Sequence, residues 1–305
     1  MNYQLIKTLI LIFLFISGSV NAQTVNMGSH VERKSLGTNP KNSMHEIGYP
    51  QNTTLSPNCW RWERLNPSGL EKAVKILPVA YLVISPLEWH GETLPFGTDP
   101  FTGTAIAEMA WERTGGVMIP TLYIGSETEY KDWTSGGLTS YWGMEWITKE
   151  RNPGSLYVSN YVIELLVRDM LSMIEREGFK VCVLFSWHGA TEYSRILKGL
   201  EESWEGEPMK VVYSNFVEVQ RPEGIDFPGS GGHADYEEVS IMGAVDSTLV
   251  DLSLFGKSDR DRKIGLSDKN LDKIDYAKGR AFINYKVEQI VATVNRYLES
   301  LQSTK

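Results

Sequence analysis

Val79–Ser85 reads VAYLVIS, an unbroken apolar and β-rich run with no alternation of apolar and polar residues. A strand with one wet face alternates, whereas this one must be covered on both faces. Double cover of that kind is supplied by helices packed on a parallel sheet. The rest of the chain fits. Further strands are expected at 116–125 (GVMIPTLYIG), 180–186 (KVCVLFS) and 209–216 (MKVVYSNF). Helices are expected between and after them, at 100–115, 155–178, 191–206, 235–253 and 272–302, with a short one in NPSGLEKAVK. In the 155–178 segment apolar residues recur at 162, 165, 166, 170, 173 and 174, and Gly178 stands where a helix is closed. The expected fold class is therefore α/β, with a mainly parallel sheet and helices on both faces. No internal repeat and no second domain boundary is visible.

The expected domains are a leader (1–22), an extended arm (23–58) and one domain (59–305). MNYQLIK, TLILIFLFISG and SVNA have the charge, apolar core and small-residue cleavage pattern of a signal peptide. A membrane anchor is the alternative, but the apolar run is shorter than the ~20 residues that a spanning helix needs. The mature protein is expected to be exported, periplasmic or secreted, with no membrane attachment after cleavage. The formal charge of −8 becomes −9 when Lys7 leaves with the signal, and no basic block appears, so a nucleic-acid partner is disfavoured. Cys59 and Cys182 are too few for a disulfide framework and are expected to stay unpaired.

Three polar clusters fall directly after predicted strands or at a helix entry, where open α/β sheets collect their chemistry. They are EWHGETLPFGTD (88–99), SWHGATE (186–192) and GGHADYEEVS (231–240). His90, His188 and His233 lie in these clusters, while His30 and His45 fall in the arm. Glu88 and His90, two apart in extended chain, point to one side, and Asp99 can return to the same point after a short loop. This Glu/His/Asp set, joined by another His from a neighbouring strand end, suits a borderline cation such as zinc. Asp99 is the candidate to bridge two metals, which together polarise a carbonyl and activate water. Duller readings exist for each residue: a helix-capping His188, a loop His233, and Glu237 and Glu238 as acids favoured by a helix dipole. Residues 126–153, with Trp133, Tyr141, Trp142 and Trp146, form a long insert that is either a lid or a satellite apolar cluster.

These residues resemble the creatininase (creatinine amidohydrolase) family. Glu88, His90, Gly91, Leu94, Pro95, Thr98 and Asp99 fall in register with its strand-end motif. NPGSLYV, SWHGAT and HADYEEVS are similar to its next three motifs, in order, so that the likeness covers most of residues 60–255. The resemblance implies a three-layer α/β/α sandwich and a dinuclear metal hydrolase, with zinc first and manganese second as the two divalent ions. It implies that Glu88 and His90 each bind one metal, that Asp99 bridges them and that His188 joins Glu88. His233 would serve as acid/base, and Glu238 as a ligand or as the group that positions water. It also implies a homo-oligomer, hexameric by analogy. The departures are Ala190 where creatininase proper has a metal-binding Glu, Ser186 and Trp187 in place of Asn-Gly, Glu92 in place of a His, and Asp235 in place of a Gly. They argue against creatinine itself as substrate.

The expected activity is metal-activated water cleaving a C–N amide bond in a small, cyclic, polar molecule, with Trp187, Trp133 and Trp142 as substrate-binding residues. One alternative is hydrolytic ring opening of a keto-carbocycle or keto-sugar. Another is a small-molecule binding protein without catalysis. A Gly-x-Ser-x-Gly elbow, a P-loop and a dinucleotide fingerprint are all absent.

Overall fold

The computed structural model describes residues 58–134, 137–215 and 224–303. The expected leader, and the arm up to residue 57, lie outside the described residues. Five strands form one sheet, and every pairing in it is parallel. They are β1 (Cys59–Arg61), β2 (Val79–Val83), β3 (Gly116–Met118), β6 (Val181–Ser186) and β7 (Lys210–Asn215), in the order β1-β3-β2-β6-β7. A separate antiparallel hairpin pairs β4 (Glu129–Thr134) with β5 (Gly137–Trp142).

Strands β2 and β6 are buried along their whole length, as their continuous apolar sequences require. Their side chains alternate between two helical layers. Val79, Tyr81, Val83, Val181, Val183 and Phe185 meet α2 (Thr98–Thr114), α6 (Tyr236–Asp246) and α8 (Tyr276–Ser303). Ala80, Leu82, Cys182 and Leu184 meet α1 (Pro67–Ile76), α4 (Asn160–Arg176) and α5 (Thr191–Ser203) on the other face. This is the three-layer α/β/α sandwich. Local chemistry sets the helix ends. Asn66 accepts the Gly69 N–H and Pro67 opens α1. Ser159 caps α4, and Gly178, at φ 95°, follows its end. Two short helices, α3 (Glu145–Thr148) and α7 (Asp259–Lys263), complete the set used below.

The expected strand 116–125 is regular only to Met118. Pro120 has no N–H to donate, and beyond it the chain makes single bridges, Ile84 with Leu122 and Gly125 with Tyr157. The Trp-rich insert is not a bare loop, because much of it is the β4–β5 hairpin followed by α3. The expected helix 235–253 stops at Asp246 and continues as two 3₁₀ turns. Cys59, read as part of a polar region, is the first residue of edge strand β1, and its Sγ donates to the Trp111 carbonyl at 3.3 Å. Neither cysteine forms a disulfide, and Cys182 is fully buried, its thiol pushed up to about 12 by burial. No helix among the described residues is long and apolar enough to cross a membrane.

Candidate metal centre

The chain leaves β2 toward β3 on one side of it, and β6 lies on the other, so a topological switch point sits between β2 and β6. A cavity of about 320 Å³ opens at that carboxyl edge. The two strand ends are tied together there. Ser85 Oγ lies 3.3 Å from Ser186 Oγ and accepts the Trp187 N–H at 3.1 Å. The loop after β2 turns at Gly91, φ 70°, a conformation that favours glycine, and an added Cβ would stand 2.9 Å from Asp261 Oδ1. Thr98 then donates to the Pro95 carbonyl at 2.7 Å and starts α2, which sets Asp99 in the helix's first turn.

Glu88, His90, Asp99, His188, His233 and Glu238 all line this one cavity. Asp99 is its centre. Oδ1 lies 3.3 Å from His90 Nε2, and Oδ2 lies 3.1 Å from His188 Nδ1. Each imidazole nitrogen also faces a second carboxylate. Glu238 Oε2 is 3.5 Å from His90 Nε2, and Glu88 Oε2 is 2.9 Å from His188 Nδ1. His90 Nδ1 lies 3.1 Å from the Glu88 carbonyl, which fixes Nδ1–H as donor and leaves Nε2 as the donor atom for a cation. The Tyr157 hydroxyl donates to Glu88 Oε1 at 3.0 Å. Glu238 is held by the Ala234 N–H at 2.6 Å, and Ala234 adopts φ 56°, a left-handed conformation that costs free energy for a side chain bearing Cβ. His233 Nε2 donates to the Trp89 carbonyl at 2.8 Å, and its ring lies 4.4 Å from that of His90.

The electrostatics are those of a site built around positive charge. Burial opposes a charged His90, yet Asp99 and Glu238 raise it to about 10. His188 is likewise raised well above its usual range by Glu88 and Asp99 against the effect of burial. Burial pushes Glu238 up to about 8, with His90 opposing and Asp99 reinforcing the shift. His233 is lowered to about 4 by burial and by neighbouring His90. Among the described lining residues no Lys or Arg neutralises the carboxylates. Protons on His90 and His188 therefore balance charge that divalent cations would balance better. The donor set passes the chemical test for such ions. His90, Asp99 and Glu238 form one group of converging donor atoms, and Glu88 and His188 form the other side, with Glu127 behind the ring of His188.

The three tryptophans assigned to substrate do not line this cavity. Trp187 is 1% exposed and packs edge-on against Phe282 of α8 at 6.0 Å. Just past the end of β6 the chain turns His188 toward the cavity and Trp187 into the core. Trp133 is 79% exposed on the hairpin. Trp142 stacks on Tyr157 at 6.4 Å and lines a neighbouring cleft. The tryptophan that reaches the cavity wall is Trp146, stacked on Tyr130 at 5.3 Å. Glu127 was not anticipated. It is buried, lines the cavity, and lies 3.4 Å from His188. Its only sequence signal was its place just after the predicted strand 116–125.

Comparison with protein families matches residues 63–294 to Creatininase, described as creatinine amidohydrolase. The chain belongs to the creatininase family. Membership places it among metal-dependent amidohydrolases. Solved structures with the same fold include a creatinine amidohydrolase (creatininase), 19% identical, TM-score 0.61, covering 78% of this chain and 97% of that one. A creatininase Mn structure is 19% identical at TM-score 0.60, covering 78% and 98%. A creatininase mutant of Zn-Zn type is also 19% identical at TM-score 0.60, covering 77% and 97%. A search of curated proteins finds no match.

Proposed function

We propose that this creatininase-family chain is a dinuclear metal hydrolase that cleaves a C–N amide bond in a small, polar, cyclic substrate. The observation that carries the reading is the two-sided use of Asp99, one oxygen toward His90 and Glu238, the other toward His188 and Glu88. Glu238 stands in for the ligand that Ala190 lacks. Bound at these residues, divalent cations, zinc before manganese, would supply Lewis acidity to a carbonyl and acidify water toward neutrality. The protein's own groups do the rest. His233 carries its proton on Nε2, held by Trp89, and keeps Nδ1 as a base. Its lowered proton affinity keeps it neutral at pH 7, so it can take a proton from the attacking water and pass it to the leaving nitrogen. One of its ring nitrogens lies within 4.8 Å of donor atoms of Glu88 and His90. A cavity of about 320 Å³ sets the size of the substrate.

The stacked Tyr130–Trp146 pair gives the cavity a flat aromatic wall. It suits a ring, and so equally supports hydrolytic opening of a cyclic ketone. NMR of the products from a lactam and from a cyclic diketone separates the two reactions. Export of the mature chain and assembly into a homo-oligomer belong to the same proposal.

Elemental analysis of the purified protein and of Asp99→Ala tests the reading. About two equivalents of zinc or manganese are expected in the wild type. Asp99→Ala should lose most of that metal and all lactam turnover. Wild type that takes up no metal after reconstitution would overturn it.

A further inference from the structure

His188 is engaged on both ring nitrogens. Nδ1 faces Glu88 Oε2 at 2.9 Å and Asp99 Oδ2 at 3.1 Å. Nε2 faces the Ser126 carbonyl at 3.1 Å and Glu127 Oε2 at 3.4 Å. A carbonyl only accepts, so Nε2 carries a hydrogen; without metal Nδ1 also carries one, toward the carboxylates of Glu88 and Asp99, and it is this Nδ1 proton that a cation would displace. The Glu127 carboxylate is itself fixed. Oε1 accepts the Thr128 N–H at 2.5 Å. The chain leaving the hairpin passes so close at Gly143 that a Cβ there would stand 2.8 Å from Glu127 Cγ. Gly143 has φ 54°, so this residue both makes the turn and leaves room for the glutamate. Glu127 as a whole is 8% exposed.

Burying a carboxylate is costly, and a surface acid would serve the hairpin equally well. We infer that Glu127 is a positioning residue for His188: it shares the Nε2–H with Ser126, holds the ring in the plane and tautomer that present Nδ1 to a cation, and makes that nitrogen a better donor. Carboxylates behind metal-binding histidines act in this way generally. The inference rests on the reading of this cavity as a metal centre. It gives part of the insert a function beyond covering the site, because Ser126, Glu127 and Gly143 carry the support of a ligand in the loop after β6.

The test is zinc affinity, measured by competition with a chromophoric chelator on full-length mature protein, for wild type, Glu127→Gln and Glu127→Ala. Circular dichroism checks that each is folded. Glu127→Ala should weaken binding by about 10–100-fold while the stoichiometry at saturating zinc stays that of the wild type. Glu127→Gln, whose amide oxygen still accepts from Nε2–H, should recover most of the affinity. Electronic spectra of the cobalt-loaded proteins should agree in band position and intensity, because no direct ligand has been removed. Unchanged zinc affinity in both variants overturns the inference. So does the loss of a whole equivalent with an altered cobalt spectrum, which would make Glu127 a ligand itself. A wild type that binds neither zinc nor cobalt instead removes the metal centre on which both readings stand.

Discussion

At the scale of single residues, the site stores its character in shifted proton affinities. In the metal-free protein His90 holds its proton to about 10, against an unfolded value near 6.5. A raised pKa stabilises the fold fully below the unfolded value, and the stabilisation is lost as pH rises through the folded one. Glu127, raised to about 7 by burial, and Glu238, raised to about 8, act in the same sense, since each must be charged inside the protein as pH rises. Between pH 7 and 10 the folded metal-free chain therefore binds more protons than the unfolded chain. Chelator-treated protein should melt at a steadily lower temperature across this window, as followed by circular dichroism. Zinc-loaded protein should not show that slope, because metal replaces the protons on the ligands. Most of these residues were legible from types and spacing at strand ends. Glu127 was not, because SETE offers two acids, and only packing shows that Glu127 is buried while Glu129 is exposed. Trp187 was misread for the same reason: a sequence does not say which side of a strand end faces the cavity.

At the scale of elements, α6 carries Glu238 and is held by a tight crossing with α8. A Cβ on Gly279 of α8 would stand 2.2 Å from the Ser240 carbonyl of α6, and one on Gly243 would meet the ring of Tyr276. The neighbour at Gly279 is backbone, which cannot rotate away. Gly279→Ala should cost roughly 1–3 kcal/mol of stability by overpacking. It should also lower metal affinity, because it shifts the helix on which Glu238 sits. Urea unfolding and the chelator competition measure the two effects. Helices with clear periodicity and capping residues were readable, α4 best of all. The short edge strand β1, the break of β3 before Pro120 and the hairpin were not. Their pairing partners are distant in sequence, or their apolar pattern is weak.

At the scale of the whole molecule, one sheet couples both helical layers to the cavity. Phe185 of the interior strand β6 is fully buried, three residues before His188. Phe185→Ala should cost about 3–5 kcal/mol by removing core contacts. Because the layers share a sheet, loss of tertiary and secondary structure should remain a single transition. Near-UV and far-UV circular dichroism should therefore trace one melting curve, shifted to lower temperature.

The sequence by itself determined the class of fold and the residues that could bind metal. Continuous apolar strands demand two helical layers, and a Glu-x-His followed by Asp at a strand end is a donor set wherever it stands. What the tertiary structure alone decided is how those donors are shared. The crossing from β2 to α2 aims the two oxygens of Asp99 at two different histidines. A strained Ala234 on the loop before α6 sets Glu238 beside His90. The insert returns to place Glu127 behind His188. Those distances depend on segments far apart in the chain, and only packing brings them within a few ångströms of one another.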